Sequence, residues 1–179
     1  AYAALALGRA ESAGWEVSEE VLQTASAACV RPWRTGPPSR NTRRRAGQMG
    51  DDATWWLRLP AGLALLALSE NVRPGPESAL RAADVDLLAD HAEELAPDQQ
   101  LALALALHRW GMHAPVVERV LRRALDRAEV TSGGAVIPAF DAGDLPLPFR
   151  TTVRATSLAL WLGATVHPEE LLVSRLATG

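Results

Sequence analysis

The sequence predicts an all-α fold: a two-layer array of helical hairpins, either an α/α toroid or part of one, or an open curved solenoid. Three observations carry this. Apolar Ala/Leu runs recur along the chain, each followed by a Gly or Pro break and then by a segment with one apolar face. The first member of each pair is apolar nearly all round and the second is amphipathic, so the first belongs inside and the second on an outer layer. Hydrophobic residues make up 48% and charged residues 22% of the 179 residues, which fits a folded chain rather than a disordered one.

The pattern appears in four versions. The first, "AYAALALGRAESAGWEVSEEVLQTASAAC", is an Ala/Leu helix, a turn near Gly14, and a second helix opened by Ser18 with Glu19 and Glu20 in its first turn. The second, "PAGLALLALSENVRPGPESALRAADVDLLADHAEEL", breaks at Pro74 to Pro76. The third, "APDQQLALALALHRWGMHAPVVERVLRRALDRAEV", starts on the helix signal Pro97 and Asp98 and turns at Gly111. The fourth, "TTVRATSLALWLGATVHPEELLVSRLATG", is expected to turn at Gly163 and to restart at Pro168 with Glu169 and Glu170.

Leu101, Leu103, Leu105 and Leu107 alternate with Ala in the period of a strand. Ala is poor in strands and the best helix former, and helix punctuation brackets the run, so it is read as helix. In the following segment Val116, Val120, Leu121 and Leu125 mark one buried face, with Arg119, Arg122, Arg123 and Asp126 opposite. Two stretches interrupt the repeats: residues 31–52, rich in Arg, Pro and Gly, read as a long exposed connection, and 132–149, read as an irregular loop or short hairpin.

Length suits a single helical domain spanning 1–179, or an excised segment of one, since the chain opens inside a helical pattern. No signal peptide is visible, and no apolar run reaches the roughly 20 residues of a membrane span, so direct membrane insertion is not expected. All the basic residues are Arg, and the net charge of -3 gives no reason to expect a nucleic-acid partner. The one cysteine, Cys29, excludes an internal disulfide and a paired-thiol zinc site.

The order of parts resembles the thioester-containing helical domain of bacterial alpha-2-macroglobulin-like proteins. The resemblance rests on "AYAALALGRAESAGWEVSEEVL", then "LAPDQQLALALALHRWG", then "VLRRALDRA", a Gly-bearing irregular stretch, and "RTTVRATSLALWLGATVHPEELLVSRL". It implies an α/α toroid in a large secreted or envelope protein that traps proteases: cleavage of a bait region triggers rearrangement, and an internal thioester captures the attacker. Neighbouring domains of the same parent chain, and proteases as the parent's targets, are the partners it implies. The family's reactive Cys-x-Glu-Gln is absent, because Cys29 is followed by Val30, Arg31 and Pro32. By the family's layout that motif belongs upstream of Ala1, and a Trp followed by a Ser-Thr-Gln-rich helix start belongs after Gly179. The segment is therefore expected to be non-catalytic, with no catalytic, cofactor or metal residues of its own.

Individual candidates read mostly as structural. Cys29 shares a helical face with Leu22 and Ala25, the place of a small buried hydrophobe rather than a reactive thiol. Arg40, Arg43, Arg44 and Arg45 lie in a Pro/Gly connection near Trp33 and read as a solvated loop before a phosphate contact. A metal would have to use His91, His108, His113 and His167 with Asp90 or Glu94, but the step from His108 to His113 straddles Gly111 and does not put two ligands on one helix face. Asp51 and Asp52, or Asp84 and Asp86, raise the acid chemistry of terpenoid cyclases and prenyltransferases, which share the toroid, but neither pair completes a DDxxD or DxDD pattern. Trp55, Trp56, Trp110 and Trp161 read as plugs at the ends of the array, or else as a docking surface. A plain helical-repeat binding module with an open concave face is the remaining alternative.

Overall fold

The computed structural model describes residues 1–34, 61–75, 78, 80–138 and 151–178. Among them the chain is helical apart from one short hairpin, as the all-α class requires. The elements are α1 (Tyr2–Ser12), α2 (Glu19–Arg34), α3 (Ala61–Leu68), α4 (Ala82–Asp90), a single 3-10 turn (Ala92–Glu94), α5 (Pro97–Trp110), α6 (Ala114–Asp126), β1 (Glu129–Thr131), β2 (Gly134–Val136), α7 (Thr152–Val166) and α8 (Leu171–Leu176). They fall into two compact units, Ala1–Glu94 and Leu95–Gly179.

In the first unit α1, α2 and α3 pack on one another. The α1–α2 turn is where the sequence places it: Gly14 takes a positive φ of 85°, and the Ser18 carbonyl accepts from the Leu22 amide in the first turn of α2. Helix α2 then runs on to Arg34, four residues into the stretch 31–52 read as a connection. Pro32 sits in the last turn, where its missing N–H removes only one helical hydrogen bond. The rest of that stretch, with Arg40, Arg43, Arg44, Arg45, Asp51 and Asp52, lies outside the described residues, as do Trp55 and Trp56. Leu65, Leu66 and Leu68 of α3 are fully buried, as an enclosed rod demands.

Helix α1 departs from its expected role. Only Ala4 and Gly8 are buried, while Tyr2 is 53% exposed. These small residues lie one turn apart, and Gly8 lets the chain just after α3 come close: a Cβ there would stand 2.7 Å from Glu70 Cβ. Contact through a narrow small-residue line leaves the rest of the helix half-buried or exposed, however apolar its composition.

In the second unit the inner rod is realised by α5. All ten residues from Asp98 to Leu107 are buried, and the strand alternative for "LALALAL" is excluded. Full burial of each leucine contributes on the order of 1.5–3 kcal/mol. Pro97 begins the helix, Ala96 being its N-cap, and Gly111 in the left-handed conformation (φ 68°) ends it. The chain reverses into α6, whose buried face is Val117, Val120, Leu121, Ala124 and Leu125; Val116, expected on that face, is half-buried beside it. Helix α6 packs on both α5 and α7.

Two links fix the direction of α7. Near the start of both helices Arg154 of α7 binds Asp98 of α5, and towards their ends the Arg109 guanidinium lies 4.9 Å from the centre of the Trp161 ring. Helices α5 and α7 are therefore parallel neighbours, with α6 laid antiparallel against them. Within this unit α5 is the enclosed helix, and α6 packs on it through one face.

Three boundaries are corrected here. The segment "RRALDRAEV" is helical only to Asp126; Glu129–Thr131 and Gly134–Val136 pair antiparallel, with Thr131 opposite Gly134, so the expected loop or short hairpin begins before 132. Residues 139–150 lie outside the described residues. The fourth repeat does not turn at Gly163, which is buried within α7, three residues before its end. A Cβ at 163 would stand 2.5 Å from Val173 Cγ2, so this glycine admits α8 at close range rather than bending the chain. The turn falls at His167 to Glu169, and α8 starts at Leu171 with Glu170 as its N-cap. Helix α7 is also one-sided rather than enclosed: Ala155, Thr156, Leu158, Ala159, Leu162 and Gly163 are buried, while Val153 is 75% exposed.

If Gly163 is a contact glycine, Gly163→Ala should lower unfolding stability by about 1–3 kcal/mol in urea denaturation. Combining it with Val173→Ala should make the Gly163 substitution itself nearly neutral, because the clashing methyl is gone. A turn glycine would show no such rescue.

Candidate functional site

The apolar interior holds few polar side chains. Asp98, Gln99, Gln100 and Thr156 are the buried polar residues among those described, and they gather with Arg154 around the first turns of α5 and α7. Each is placed by a helix start. Thr151 caps α7 by accepting from the Arg154 amide at 3.1 Å, which orients the first turn carrying Arg154. Asp98 occupies the first turn of α5, where a negative charge meets the positive end of the helix dipole.

Asp98 Oδ2 accepts from Arg154 Nη2 and from Gln99 Nε2 at 2.9 Å. The Asp98 side chain is 0% exposed and that of Arg154 15%, so both ends of the ion pair are withdrawn from water. Gln100 Nε2 donates to the Leu95 carbonyl at 2.7 Å, tying α5 to the chain entering it. Thr156 Oγ1 accepts from the Ile137 amide at 2.9 Å, which holds the end of the hairpin against α7. Asp98 Oδ1 has no hydrogen-bond partner. A buried carboxylate paired through one oxygen is costly to form and more costly to break.

A second polar cluster lies at the opposite end of these helices, nearer the surface. His167, just past α7, contacts Glu118 of α6 through Nε2 and Oε2 at 2.8 Å, and Arg122 Nε donates to Glu118 Oε1 at 3.1 Å. Arg122 also faces Glu170 at 3.7 Å, and His167 Nδ1 lies 3.8 Å from Glu169. The hydrogen bond from His167, helped by Arg122, holds the Glu118 carboxyl below its ordinary pKa of 4.5. Its surroundings are solvated, so the effect on stability is small.

The candidates read from sequence are scattered. His91 pairs with Glu94 at 2.6 Å in the first unit, His108 is exposed, His113 is the N-cap of α6, and His167 serves the cluster just described. Among the described residues no group of three or more His, Cys, Asp or Glu side chains could hold a metal ion. Asp84 sits 3.6 Å from Arg81 and Asp86 is exposed, so this pair is not set into an enclosed acid site. Cys29 is a free, buried thiol on the face of Leu22, the place the spacing gave it. Trp110 is the last residue of α5, whereas Trp161 lies inside α7 with the Arg109 guanidinium over its ring.

Sequence reasoning missed the Asp98 and Arg154 pair. Asp98 was legible only as a helix-start signal and Arg154 only as a member of the fourth repeat. Fifty-six positions separate them, and no local pattern reports such a pairing. No protein-family model, curated protein or solved structure matches the chain. No helix among the described residues is long and apolar enough to cross a membrane.

Chemically, the buried cluster is a tie: a charge-assisted pair joins two parallel helix ends, and a neutral hydrogen bond from the Ile137 amide to Thr156 adds the hairpin. Arg154→Met, which strands the Asp98 carboxylate, should cost about 3–5 kcal/mol of stability, measured by urea denaturation. The double variant Asp98→Leu with Arg154→Met should recover most of that loss, since no charge is left buried. A separate acid titration tests Glu118. Its pKa is lower folded than unfolded, so its contribution is present above about pH 4.5 and lost as pH falls further. Glu118→Gln should therefore destabilise slightly near neutrality and flatten the acid limb of the stability profile.

Proposed function

We propose that this chain is a non-catalytic helical scaffold that docks against neighbouring domains of a longer parent protein, and that the parent is a protease trap of the alpha-2-macroglobulin-like type. The observation that supports the scaffold reading is the enclosure of α5, whose residues Asp98 to Leu107 are all buried. A rod sealed on every side presents no face to a substrate, and its polar first turn serves to anchor neighbours. What it contributes is rigidity: α6 and α7 are fixed on a common core, and their outer faces become a surface of constant shape.

The trap itself comes from the resemblance in the order of parts, and with it the expectation of a secreted or envelope location and of closure into an α/α toroid. In such a protein a stiff helical body would transmit bait cleavage into rearrangement of the domains docked on it. The test is made on the full-length parent, mixed with an excess of trypsin or chymotrypsin and run on a native gel. Limited cleavage should change the parent's mobility in one step, with active protease migrating alongside it. Progressive degradation with the protease left free would overturn the reading.

A further inference from the structure

We propose that the second unit carries a small-oxyanion site in the cleft between the β1–β2 turn and the end of α8, with Arg175 as its cation. This goes beyond the scaffold reading and does not depend on it. The cleft is an open surface depression of about 450 Å³ lined by Thr131, Ser132, Gly133, Gly134, Arg175 and Thr178. Among the described residues that lining contains one cation, three hydroxyl residues and two glycines, and no carboxylate.

Arg175 is exposed, and no described residue pairs with it. This sets it apart from Arg9, Arg81, Arg122 and Arg154, which all face carboxylates within 4 Å. The negative end of α8 does not compete for it strongly, because the Arg175 carbonyl already accepts from the Thr178 amide at 3.3 Å and from Thr178 Oγ1 at 3.0 Å. Across the cleft, Gly133 and Gly134 leave the hairpin wall without side chains, which makes room for a ligand beside Arg175 and Ser132. Thr131 Oγ1 is spent on the turn itself, donating to the Gly134 carbonyl and accepting from the Gly133 amide, both at 3.3 Å. The Ser132 hydroxyl makes no bond with a described residue. A guanidinium lining the same cleft as a hydroxyl with no partner among the described residues suits a tetrahedral or planar oxyanion, a phosphate or a carboxylate.

The experiment is an amide chemical-shift titration of the 179-residue chain with inorganic phosphate, and separately with succinate, at constant ionic strength against chloride. Saturable shifts are expected at Ser132, Gly133, Gly134 and Thr178, and the tighter probe tells phosphate from carboxylate. Arg175→Gln should weaken binding by about tenfold or more, as loss of a charged hydrogen bond does. Ser132→Ala should weaken it less. Because both residues are exposed at the surface, these variants keep the fold, which an unchanged spectrum elsewhere would verify. Arg81→Gln, in the other unit, should leave the titration as it was. No saturable shift with either probe, shifts matched by chloride, or equal loss in Arg175→Gln and Arg81→Gln would overturn the site.

Discussion

A helix whose first turn is buried has little water there to solvate its polar groups, and α5 makes that constraint the centre of its unit. Ten successive buried residues include three polar ones in the first turn, Asp98, Gln99 and Gln100. An apolar core would reject them unless each found a partner. Their partners are what join the neighbouring elements: Arg154 brings the start of α7, and the Leu95 carbonyl secures the entering chain. Near the same helix end, Thr156 of α7 holds the hairpin through the Ile137 amide. Burial of the rod and placement of its neighbours are one problem with one solution.

Small residues set the distance at which helices meet. In the first unit Gly8 brings α1 against the segment just after α3, where Arg9 and Glu70 face each other at 3.4 Å. In the second, Gly163 brings α7 against Val173 of α8. The same device appears in both units with different partners. It explains why Ala/Leu-rich helices such as α1 and α7 need not be enclosed: a close approach along one line satisfies the packing, and the opposite side remains outside.

The helical class, the hairpin turn at Gly111 and the interior position of α5 were legible because each has a local signature. Ala-rich composition opposes a strand, Pro97 marks a start, and a residue with positive φ favours glycine. Gly163 was misread for a physical reason: a glycine chosen for its conformation and one chosen for its missing side chain look the same in a sequence. The hairpin start was missed for another. Val130 and Thr131, β-branched and followed by Ser-Gly-Gly, carry a strand and turn signal, but they directly follow a strongly amphipathic helix whose pattern absorbed them. The ion pair across α5 and α7 has no local trace, and the Arg175 cleft arises only where a turn meets a helix end some forty residues further on.

The parallel course of α5 and α7 also orders events in time. The α5–α6 hairpin closes over a few residues at Gly111, a short loop that costs little entropy to form. Helix α7 must instead be captured across a separation of 56 residues from Asp98 to Arg154, and 49 from Glu118 to His167. Closure entropy rises only slowly with length, but such distant contacts delay the rewarding step. On that argument the hairpin is expected to form first in this unit, and the arrival of α7 to complete the cooperative body.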